Sequence, residues 1–141
     1  MSDSIVNAPR ALAVACLGAA LLGACIDDEL PTSARVLVES DPAAPLELVV
    51  SSNFLLRRNE TTDQREAVPL EADTIAVSGD FDRVFDIARH ARIYVVLRND
   101  AATPESVRLR VLVDGSEAYD ESDVIADGAF LDFLFTSRSA F

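Results

Sequence analysis

The 141-residue chain carries 24 Asp and Glu against 12 basic residues, all arginine, for a formal net charge of −12, and half of its residues are hydrophobic. That apolar content excludes a disordered acidic tail, and the charge excludes a partner bound through phosphate backbones, so no nucleic acid is expected. Five Gly, no Trp and a single His leave neither a glycine-rich phosphate loop nor an all-histidine metal site.

The first element is residues 11–24, ALAVACLGAALLGA, uncharged behind Arg10 and followed by Cys25 and the acids Asp27, Asp28 and Glu29. It is too short to span a bilayer, which takes roughly 20 apolar residues, and has the length of the helical hydrophobic region of a secretory signal. At its end, Leu22-Gly23-Ala24-Cys25 resembles the lipobox of bacterial lipoprotein precursors. That resemblance implies removal of residues 1–24 and acylation of the Cys25 thiol, leaving a protein anchored to a membrane without crossing it. Ile26 stands where an Asp would imply retention at the inner membrane, so the resemblance implies the outer membrane in a double-membrane cell, and otherwise the outer face of the cytoplasmic membrane. Cys16 lies within the hydrophobic region, with too few apolar residues before it to serve, and leaves with the signal. With Cys25 consumed by lipid, the exported domain has no internal disulfide.

Residues 25–32 read as an acidic tether whose carboxylates are repelled by anionic headgroups and hold the domain off the membrane. Over residues 33–141 apolar positions recur with period two. Val36 and Val38 share a face, as do Leu46, Leu48, Val50, Phe54 and Leu56, and then Ile75 and Val77. Phe81, Phe85 and Ile87 alternate, followed by Ile93, Val95 and Leu97. The same residues leave a helix over 83–91 open, through the stripe Val84, Ile87, Ala88 and Ala91. Val107, Leu109, Val111 and Val113 form the clearest strand, ending in the tight-turn pair Asp114-Gly115. Ala129, Leu131, Phe133 and Phe135 share the last face. Residues 57–68, RRNETTDQREAV, read as a long exposed loop. Together these predict an all-β chain, a single immunoglobulin-like sandwich of seven or eight short strands behind the helical signal peptide.

No motif assembles a nucleophile, base and orienting group, so no enzyme and no cofactor are expected. His90 has no nucleophile motif beside it, although a Ser-His-Asp triad from distant segments stays open. Paired carboxylates for a hydrolase are numerous without one pair standing out. Asp114, Glu117, Asp120, Glu121, Asp123 and Asp127 form the densest acidic cluster. Calcium takes six to eight oxygens from such loops, which makes Asp114, Asp120, Glu121, Asp123 and Asp127 candidate ligands of a calcium-stabilised adhesion-type module; their spacing does not match the EF-hand. Arg57, Arg58 and Arg65 are the basic exception in an acidic chain: they balance nearby Glu60, Asp63 and Glu66 or, if the scaffold binds a partner, are the expected contact for its carboxylates. The predicted protein is a lipid-anchored extracytoplasmic binding or structural module, whose partners are the membrane, through Cys25, and another envelope protein.

Overall fold

A computed structural model describes residues 29–137. The signal peptide, the lipobox residues Leu22, Gly23 and Ala24, and Cys25 lie outside the described residues. Eight strands follow one another: β1 (Ser33–Ser40), β2 (Leu46–Arg58), β3 (Arg65–Val77), β4 (Phe81–Asp86), β5 (Arg92–Arg98), β6 (Glu105–Val113), β7 (Ser116–Ile125) and β8 (Phe130–Thr136). They form two antiparallel sheets, ordered β4-β1-β6-β7 and β3-β2-β5-β8. The all-β sandwich expected from the alternation is what the chain adopts.

Because successive strand residues point to opposite faces, each segment sends its odd or even set inward. One continuous cluster results, with Val36 and Val38 of β1, Leu46, Leu48 and Val50 of β2, Ile93, Val95 and Leu97 of β5, and Val107, Leu109 and Val111 of β6 at its centre. Ile75, Phe81, Val113, Ala129, Phe133 and Phe135 pack partly buried against it. The four edge strands alternate less cleanly, and β3, β4 and β7 carry charged residues such as Glu71, Asp82 and Glu121, which discourage further strand pairing.

Three features depart from simple alternation. The first is a bulge in β2. The pairing with β3 slips between Val50 and Asn53 and again between Asn53 and Phe54, and the buried Ser51 hydroxyl donates to the carbonyls of Glu71 (2.5 Å) and Asn53 (2.9 Å) at this irregularity. One extra residue reverses the faces beyond it. Phe54 therefore leaves the face of Leu46, Leu48 and Val50. It is fully buried outside the inter-sheet cluster, its ring 6.1 Å from that of Tyr94 and 4.6 Å beneath the Arg92 guanidinium.

The second is the segment 83–91, which is not a helix. β4 continues to Asp86, leaving Val84 60% exposed. Asp86 Oδ1 then accepts the Ala88 amide at 2.9 Å, and the Ala91 amide closes on the Ile87 carbonyl at 2.7 Å. This single turn ends because Ala91 adopts φ 50° and the chain enters β5. Pairing of β4 with β1 outweighs the weak helical stripe.

The third is the stretch 57–68. Arg57 and Arg58 end β2, and Arg65 to Val68 begin β3, so only residues 59–64 form the connection. Asn59 organises it: its side-chain oxygen accepts the amides of Thr61 (2.9 Å) and Thr62 (3.1 Å), while its backbone exchanges bonds with Gln64 and Asp63.

Candidate functional site

The β2–β3 hairpin outruns its sheet. β2 pairs with β5 only from Glu47 to Ser51, but with β3 as far as Arg58. Residues 54–58 and 65–69 therefore form an arm supported by its own ladder and by Phe54, which wedges its root against Tyr94 and Arg92. Leu56, Arg57, Arg58, Asp63 and Arg65 line a hollow of about 530 Å³ at its tip. The three arginines singled out in the sequence thus come together. Arg58 and Arg65 are cross-strand partners, and like charges so placed repel. Asp63, held at φ 58° by the turn, relieves one of them by pairing with Arg58. Arg57 and Arg65 make no ion pair among the described residues.

The acidic cluster behaves differently. Most of it lies on β7, an edge strand of ten residues rather than the two turns and short strand its composition suggests. The inward positions of β7 opposite Leu109 and Val107 are Glu121 and Asp123, which remain exposed, so the strand lacks the apolar alternation that marks the others. Two inward positions are exceptions: Ile125, buried in the core at the end of the strand, and Tyr119. Tyr119 packs on Phe133 with ring centroids 4.9 Å apart and donates its hydroxyl to Glu121 at 2.6 Å; burial and that carboxylate raise its pKa, so it stays a donor.

A bulge between Val111 and Leu112 brings Glu117 opposite Leu112, onto the outer face with Arg110. There the acids meet arginines of β6. Arg108 grips Asp120 with two bonds of 2.8 Å and holds its carboxyl below the usual range, and Arg110 reaches Glu117 at 2.9 Å. Asp114 sits in the Asp114-Gly115 turn, both residues at positive φ, and binds the start of β1 instead. Among the described residues no three carboxylates gather as a cation site. The five calcium candidates Asp114, Asp120, Glu121, Asp123 and Asp127 form no such group, and three of them, Asp114, Asp120 and Asp123, are bonded to arginine or backbone.

Of the further hollows among the described residues, two gather three or more charged or titratable side chains. One, of about 330 Å³, opens between the edges β3 and β4, where the β2 bulge, Glu71, Asp73, Arg83 and Asp86 face one another. The other, also about 330 Å³, lies where the chain enters the domain, and is lined by Leu30, residues 88–92 and Ser137. His90 belongs to it. Its side chain makes no hydrogen bond to a serine or carboxylate among the described residues, so the geometry assembles no triad. Each hollow joins segments far apart in sequence, which no local pattern encodes.

No family model, curated protein or solved structure matches this chain.

Proposed function

We propose that the protein is a lipid-anchored extracytoplasmic binding or structural module, held at a membrane surface through Cys25, which contacts an envelope partner through the β2–β3 arm. The lipobox-like Leu22-Gly23-Ala24-Cys25 supports the anchor. The arm is the observation that carries the contact: a hairpin standing clear of its sheet, whose tip presents Arg57 and Arg65 without ion-pair partners among the described residues, in a chain of net charge −12. Guanidinium groups bind carboxylates through two parallel hydrogen bonds, so the expected partner surface is acidic.

The test is capture from solubilised envelope by the mature protein and by the Arg57→Ala/Arg65→Ala variant. The variant keeps Arg58 with Asp63, and so keeps the turn. Loss of the captured partner with an unchanged melting temperature supports the arm; equal capture by both proteins refutes it.

A second reading, hydrolysis by a carboxylate pair, draws on Glu71, Asp73 and Asp86 lining the hollow between β3 and β4. Turnover of glycoside substrates that vanishes in Glu71→Gln/Asp73→Asn would favour it over binding.

A further inference from the structure

The domain's entry point and two arginines without an ion pair among the described residues meet at one place. Thr32, the residue before β1, accepts the Ile87 amide at 2.9 Å, and Leu30, 46% exposed, lines a hollow with Ala88, Arg89, His90, Arg92 and Ser137. Two acids beside the entry are engaged with backbone, Asp86 with the Ala88 amide and Asp114 with those of Thr32 and Ser33, while the exposed Glu29 directly precedes Leu30. Arg89 and Arg92 have no ion pair among the described residues. Two lining residues, Arg92 and Ser137, have polar atoms, Nε and Oγ, buried without a hydrogen-bond partner among the described residues. A small concavity lined by two arginines, a histidine and a serine, with those two atoms unsatisfied, matches an anion with several acceptor oxygens.

Its position limits which anion it meets. Leu30 lies five positions beyond Cys25, a reach of at most roughly 17 Å when fully extended. Resting on the lipid-anchor reading, this keeps the hollow close to the headgroups of the bilayer that holds the acyl chains. We infer that the hollow formed by Leu30, Arg89, His90, Arg92 and Ser137 binds the phosphate of an anionic phospholipid headgroup and so sets the orientation of the domain on its membrane. The membrane's field acts in both directions here, pulling on the arginines and pushing on Asp27, Asp28 and Glu29. Net field attraction does not make the contact. Tethering does, because it converts docking into an intramolecular step at high effective concentration. The acidic tether then acts as a short spacer, and the arm arginines remain for a partner.

His90 is the only histidine in the chain, so its imidazole gives one assignable NMR signal within the hollow. The acylated protein is placed in nanodiscs of phosphatidylcholine, with or without phosphatidylglycerol. Phosphatidylglycerol is expected to shift the His90 resonance at fixed pH, since a headgroup phosphate seated in the hollow changes the field at the imidazole. Arg89→Gln should remove most of that shift while leaving the melting temperature unchanged; Arg89→Gln/Arg92→Ala should abolish it. Arg92 also covers Phe54, so the single variant decides if the double one fails to fold. An equal shift in Arg89→Gln overturns the proposal, because it then reports only the surface field. The same shift from millimolar inorganic phosphate in phosphatidylcholine discs, with none from phosphatidylglycerol, marks a free-phosphate site and also overturns the lipid assignment. The mass of the same sample tests the anchor separately: an acylated protein with no His90 shift overturns the headgroup contact alone, and an unacylated one overturns both.

Discussion

Asp114 and Ser33 share three hydrogen bonds. The Asp114 amide donates to the Ser33 carbonyl at 3.0 Å, and the Asp114 carboxylate accepts the Ser33 amide at 2.9 Å and the Ser33 hydroxyl at 3.1 Å. The Thr32 amide adds a further bond at 3.1 Å. A two-residue hairpin turn thereby fixes the direction in which the chain enters the sandwich.

These bonds have a pH signature. Donation first from the Ser33 backbone and then from Thr32 lowers the Asp114 pKa below its ordinary value. A carboxylate whose folded pKa is depressed contributes stability that is present above the unfolded value, about 3.9, and lost as pH falls through the folded one. Asn tolerates positive φ at this turn position, so Asp114→Asn isolates the charge. The variant should melt below wild type at pH 7, with the gap closing as pH falls below about 4. Equal melting temperatures at both pH values would show that the carboxylate contributes nothing.

Substitutions among the β7 acids should separate by partner, not by charge. Asp120 stands between Arg108 and Arg110, whereas Glu121 and Asp123 have no ion pair with an arginine among the described residues. Asp120→Asn leaves two neighbouring guanidinium groups facing each other and should lower the melting temperature. Asp123→Asn should not, and it relieves some of the net negative charge. Calcium at millimolar concentration, or its removal by chelator, should leave the wild-type melting curve unchanged; a calcium-dependent rise would revive the adhesion-type reading.

Asn99 is fully buried and its amide is saturated. It donates to the carbonyls of Thr103 (2.8 Å) and Ile125 (2.9 Å) and accepts the Ala101 amide at 2.9 Å. Asn99→Ala should cost about 2–4 kcal/mol, because buried backbone groups lose their partners as the side chain goes. Asn99→Asp should cost at least as much, since a carboxylate would face two carbonyl oxygens. Urea unfolding measures both.

Phe54 offers a test of the β2 bulge. Its burial lies outside the inter-sheet core, under Tyr94 and Arg92, so Phe54→Ala should cost about 3–5 kcal/mol and also loosen the arm. Hydrogen exchange should then rise at residues 54–58 and 65–69 more than in β6. Uniform loss of protection would mean that the arm has no separate root.

For the anchor, Cys25→Ser should abolish partition into detergent and Cys16→Ser should not. Neither cysteine falls within residues 29–137, so reductant should leave the melting temperature of the wild-type protein unchanged.

The sequence by itself determined the strands whose alternation is uninterrupted. Val107, Leu109 and Val111 mark β6 because a half-buried strand must send every second side chain inward, and Asp114-Gly115 marks its turn because few other pairs accept two positive φ values. Local chemistry suffices for such features. It does not reveal β7, whose inward positions overhang the edge and carry Glu121 and Asp123 in place of apolar residues. Nor does it show the face of Phe54, since a bulge depends on pairing with β3 as much as on the residues of β2. The arm arginines were legible as a rare charge type, but their gathering at one hollow required the register that sets Arg58 opposite Arg65. Only the tertiary structure assigned Asp120 to Arg108, and brought Leu30, Arg89 and Ser137 to one hollow. Contacts between residues distant along the chain follow from which strands lie side by side, and that choice belongs to the packing of the whole sandwich and not to any one segment.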